Sequence, residues 1–111
     1  MIRPFQPMSA GAIAQANATS SAGGSLPETC NVVALYNSSA TAVVFWECRT
    51  LTSTADAGPT AVVPASGGAT GGFPIPPGQL IRVTVAPGIK KYATIASAAD
   101  GILYITPGQG N

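Results

Sequence analysis

Apolar and polar positions alternate most legibly in Leu80–Val85, where Ile81, Val83 and Val85 point one way and Arg82 and Thr84 the other. That period of two is the pattern of a strand with one face buried. Two further short runs, Tyr92–Ala96 and Ile102–Thr106, follow at about ten-residue spacing. Pro-Gly pairs at 77–78, 87–88 and 107–108, with Ala-Asp-Gly at 99–101, cut them apart. Together they predict an antiparallel meander across residues 73–110. Phe73-Pro74-Ile75-Pro76-Pro77-Gly78 is a stiff extended approach to it, its prolines barring a central-strand role.

Upstream, Asn31–Tyr36 and Thr41–Arg49 are nearly continuous in apolar residues, the pattern of strands covered on both faces. Asn37-Ser38-Ser39-Ala40 between them is turn-forming, so a hairpin is expected. A three-residue loop centred on Ser39 would place Cys30 opposite Cys48, while a loop one residue shorter or longer shifts the register and separates them. A Cys30–Cys48 disulfide and two buried thiols are both open. Trp46 reads as a core anchor. Residues 51–72 are loop-dominated, with one short run at Thr60–Val63. Ser66–Gly72 lacks the Lys-Ser/Thr of a phosphate-binding loop.

Residues 1–24 are rich in Ala, Ser, Gly and Gln. Arg3 and Ala16-Asn17-Ala18 imitate a signal peptide, but Pro4, Gln6, Pro7, Ser9 and Gly11 break the apolar stretch one requires. A short helix around residues 10–18 is allowed, although isolated helices of that length are marginal. The segment cannot bury enough apolar area to order itself, so an arm lying across a neighbouring subunit is expected. The fold expectation is all-β: a small antiparallel β-sandwich or barrel at residues 29–111, preceded by an extended N-terminal arm at 1–28.

Composition narrows the function. The 111 residues make one domain, and only 8% are charged, with no histidine and a net charge of +1. A typical soluble domain has about a quarter of its residues charged. Mean hydropathy is +0.32, yet no run approaches the ~18 apolar residues of a spanning helix, so no membrane role is expected. Phosphate binding needs a dense Lys/Arg field, and Lys90-Lys91 is the only basic pair, so nucleic acid is not an expected partner. A chain this poor in charge suits one that hides its surface against other chains, as in a homo-oligomer.

Without histidine, Ser-His-Asp and Cys-His arrangements are impossible. The four carboxylates, Glu28, Glu47, Asp56 and Asp100, are scattered. They offer neither a calcium array nor, in so short a chain, a sugar cleft around Glu28 and Glu47. Two thiols alone make no zinc site. Asp100, before Gly101, is a turn residue. No catalytic residue, cofactor or metal is expected.

Several of these features occur together elsewhere. Pro74–Gly78 leading into Gln79–Val85, then Pro87-Gly88, then Tyr92–Ala96, and a final Leu103-Tyr104-Ile105-Thr106-Pro107-Gly108-Gln109-Gly110 of the form LYxTPGxG, resemble small β-rich virion proteins of tailed bacteriophages. The likeness covers residues 31–110 and leaves the N-terminal arm unmatched. It implies a β-sandwich or small barrel, assembled on the particle in many copies. The expected role is capsid decoration or cement, binding between major capsid proteins on a virion built in the bacterial cytoplasm. A neck or tail accessory subunit is the alternative. Phe5, Ile13, Val32, Trp46, Lys90 and Lys91 are the expected interface. A reading of another class is a secreted carbohydrate-binding β-sandwich, with Cys30–Cys48 oxidised and exposed aromatics among Tyr36, Trp46, Tyr92 and Tyr104.

Overall fold

The computed structural model describes residues 5–8, 11–68 and 70–110. The first four residues of the expected arm, and part of the helix expected at 10–18, lie outside the described residues. Among those described, nine strands follow in order: β1 (Gln6–Pro7), β2 (Ile13–Ala16), β3 (Ala22–Leu26), β4 (Val32–Asn37), β5 (Val44–Thr50), β6 (Phe73–Ile75), β7 (Leu80–Thr84), β8 (Lys90–Ala96) and β9 (Ile102–Gln109). They form two antiparallel sheets. The first runs β1-β9-β4-β7, with β2 also pairing β9; the second runs β3-β8-β5-β6. The two pack face to face as an all-β sandwich.

The apolar runs become strands as expected, but their partners differ. β4 and β5 do not form a hairpin: β4 pairs with β7 and β9, and β5 with β6 and β8. The chain arches from one sheet to the other through residues 38–43. No register therefore sets Cys30 opposite Cys48, and both cysteines are free. The expected meander is likewise split, with β7 and β9 in the first sheet and β8 in the second. Periodicity states which side chains point inward. It does not state whether the next strand lies alongside or across the core, because an inward-facing residue is buried either way.

The physical reason for the arch lies in its polar centre. Asn37 is fully buried and gives its Nδ2 hydrogens to the carbonyls of Ala42 (2.8 Å) and Ile75 (3.2 Å). Its Oδ1 accepts from Ser39 N (3.1 Å) and Asn17 Nδ2 (3.3 Å). Ser39 Oγ donates to Asp100 Oδ2 (2.6 Å) and accepts from Ala42 N (2.8 Å). This network satisfies the buried backbone of the crossover and ties it to the β8–β9 turn, where Gly101 takes φ 80° and a side chain would strike Ser39. Asp100 is a turn residue, as expected, with this added role.

The described part of residues 1–28 is built into the fold. β1 and β2 pair along β9, and β3 pairs along β8. The region read as helix-permissive is strand β2, because its alternate residues Ile13 and Gln15 face the core while Ala14 and Ala16 face out. Thr60–Val63 is not a strand, although Val62 O accepts from Gly72 N (2.9 Å). The Pro74-containing segment is the edge strand β6, where a missing donor costs nothing. Pro77-Gly78 then forms a tight turn, with Gln79 N bonded to Pro76 O and Gly78 at φ 71°.

The core lies between the sheets. Val33, Leu35, Leu103 and Ile105 of the first sheet meet Val44, Trp46, Ile75 and Tyr92 of the second. Trp46 stacks on Tyr92 at 5.2 Å and 8°, and Tyr92 OH reaches Gln15 Oε1 of the other sheet at 3.3 Å. Burial raises the Tyr92 phenol above its ordinary pKa.

Candidate functional site

Antiparallel sheets that face water on one side normally carry polar residues there. The second sheet is covered instead. Arg49 donates to Asp56 through Nη1 and Nη2 (2.7 and 2.9 Å), anchoring the loop after β5. Ala61 is buried, with its N–H on Ser21 Oγ (2.9 Å), and Gly58 packs against Lys91. Hydrogen bonds from Arg49, Gly58 N and Thr52 N hold the Asp56 carboxyl well below the usual carboxylate range, and the same pairing raises the Arg49 guanidinium.

Among the described residues, nothing comparable covers the middle of the outer face of the first sheet. Register places Leu80 beside Tyr36, Tyr36 beside Tyr104, and Tyr104 beside Ala14. All four are exposed, Leu80 the most at 65%. They make one apolar row across β7, β4, β9 and β2, about 14 Å long at ~4.8 Å per strand step. Tyr36 and Tyr104 stack on each other, with centroids 6.3 Å apart. Ala34 and Thr106 lie in the next row with Arg82, the one charged side chain that the described strands set on this face. At its far end Phe5 lies over Gly108, the register partner of Val32. A Cβ at Gly108 would strike the Phe5 ring.

β7 is also the free edge of this sheet. Val85 N bonds Asn31 O and Asn37 N bonds Gln79 O, so odd-numbered residues face β4. The backbone groups of Leu80, Arg82 and Thr84 therefore point away from the sheet. An edge of this kind can accept another strand, and Arg82 at its centre is a common guard against self-pairing.

The expected interface residues are dispersed, and several are corrected. Trp46, Val32 and Lys90 are 4%, 2% and 1% exposed and offer a partner no surface. Ile13 packs against the core. Phe5 is partly covered and Lys91 lies under the β5–β6 loop. Lys90, expected at the interface, is the first residue of β8 and points inward, its Nζ on Glu28 O (3.2 Å) and Gly88 O (3.1 Å). Sequence reasoning missed Leu80, Tyr104 and Tyr36 as one surface. The outward side of Leu80–Val85 was readable, but only the order of strands lines these residues up.

For a carbohydrate platform, Trp46 and Tyr92 are unavailable because they stack inside the core, and the two exposed tyrosines cover one face of each other. Asn17 and Asn37, which open the glycosylation sequons Asn17-Ala18-Thr19 and Asn37-Ser38-Ser39, are buried and bonded. Among the described residues no three His, Cys, Asp or Glu side chains gather as a metal site. No protein-family model, curated protein or solved structure matches the chain.

Proposed function

We propose that the protein is a virion structural component of a tailed bacteriophage, attached to the particle in many copies as a capsid decoration or cement protein. One observation carries the reading: the outer face of the first sheet is apolar, with a single charged side chain among the described strands, where a wet antiparallel face should be polar. Exposed apolar patches rimmed by polar residues mark protein contacts, and tyrosine is enriched among residues that dominate them. The terminal Leu103–Gly110 run and the turn pattern around Pro74–Gly88 supply the phage likeness. In this reading the Leu80–Tyr36–Tyr104 row docks on the major capsid protein, burying area that few charges would need to desolvate.

Virions of the encoding phage, purified and quantified by mass spectrometry against their major capsid protein, test it. Hundreds of copies are expected. About six or twelve, the stoichiometry of a closed ring, would place the chain at the neck or tail instead. Absence from the particle would reject the proposal. Tyr104→Glu should fold as the parent does and lose attachment, because it puts an unpaired charge in the centre of the row.

A further inference from the structure

Lys90 is the largest fully buried side chain of the described residues, and no described carboxylate forms an ion pair with it. Its Nζ is held by the carbonyls of Glu28 and Gly88, and Gly88 N also bonds Glu28 O (3.1 Å). Two residues past Glu28, Cys30 is fully buried within the core of the sandwich. On the facing sheet, β5 pairs with β8 so that Thr50 opposes Lys90 and Cys48 opposes Tyr92. Cys48 is thus the diagonal neighbour of Lys90 on the inward face, and it packs against the same core cluster as Cys30. Lys90 thus touches the segment that leads into Cys30 and neighbours Cys48 across the β5–β8 ladder.

The two sulfurs differ in access. Cys30 has no exposed surface, whereas Cys48 is half-buried and lines a cleft of about 280 Å³ with Thr50, Val83, Val85 and Lys90. Burial raises both thiols above their ordinary pKa, and the Lys90 charge only partly opposes it. Both are therefore protonated at neutral pH and react faster as pH rises.

We propose that Cys48 and Cys30 form a redox-active pair that closes into a disulfide linking the two sheets, with hydrogen peroxide as oxidant. The Cys48 thiolate attacks the peroxide, cleaving O–O and forming a sulfenic acid with release of one water. The Cys30 thiol then displaces hydroxide from the Cys48 sulfur, forming S–S and releasing a second water. The protein loses two hydrogens and the peroxide is reduced to water. Lys90 is a positioning residue: its ammonium stabilises the thiolate that each step requires. Cys48 reacts first because only it opens on the cleft.

The test uses the full chain and hydrogen peroxide. Intact mass should fall by two hydrogens, non-reducing peptide maps should join Cys30 to Cys48, the rate should climb with pH, and thiol reductant should reverse the change. Oxidised protein should unfold at a higher temperature than reduced protein. In Cys30→Ser, a sulfenic-acid trap should label Cys48; in Cys48→Ser, Cys30 should stay unlabelled. Intermolecular disulfides, a Lys90 adduct, or further oxidation of Cys48 beside an intact Cys30 thiol would each overturn the proposal, as would two thiols that never react while folded.

Discussion

Lys90 shows how far one side chain can depart from its local sequence. Beside Pro87-Gly88 and in the basic pair Lys90-Lys91 it reads as solvated, but its alternation in β8 aligns it with Tyr92, Thr94 and Ala96 on the inward face. Two backbone carbonyls satisfy its ammonium, and its four-carbon stem fills core volume. Lys90→Ala should lower stability by about 3 kcal/mol, combining a cavity with an orphaned carbonyl. Lys90→Met keeps the stem and should lose less. Denaturant unfolding of the two variants separates the shares; equal losses would show that packing contributes nothing. The residues that face outward needed the opposite correction. Tyr36 and Tyr104 are far apart in the chain and become neighbours only through the β4–β9 register.

At the scale of elements, the loop of residues 51–72 does for the second sheet what nothing described does for the first. Its clasp is Asp56, which accepts from Arg49, Thr52 N and Gly58 N. Because the folded pKa of Asp56 is depressed, its contribution is complete above the unfolded carboxylate value of about 3.9 and is lost as pH falls toward the lower folded value. Protection from hydrogen exchange at residues 52–58, measured relative to the intrinsic rate at each pH, should be strong at neutral pH and fall only in acid. In Asp56→Asn it should be weak at both. An acid response in the variant equal to the parent's would show that another group is responsible. The arm expected from the low-complexity N-terminus is likewise an element with a job in the fold: β3 covers the outer edge of β8, and β1 and β2 cover that of β9. A polar, Gly- and Ala-rich strand looks like a linker because its order comes from ladder bonds to β8 and β9, not from apolar content.

For the whole molecule, the first strands of the chain pair with the last, so neither end is dispensable. Removing residues 1–28 should lower the unfolding midpoint steeply or abolish cooperative unfolding in circular dichroism; an unchanged midpoint would restore the reading of that segment as an arm for a neighbour. Such long-range pairing also places folding in the millisecond-to-second range of all-β domains. The sequence alone determined the class of the fold, the positions of β4, β5, β7, β8 and β9, and the turns at Pro77-Gly78 and Asp100-Gly101, though not the continuation of β9 through Pro107-Gly108. These follow from side-chain period, Pro and Gly, which act within a few residues. Only the tertiary structure decided that β4 and β5 part into different sheets, that Lys90 and both thiols share one end of the core, and that Leu80, Tyr36 and Tyr104 form one row. Each depends on which strand lies beside which. That choice is made by burying both inner faces at once and by satisfying the backbone at Asn37, and no local pattern in the chain encodes it.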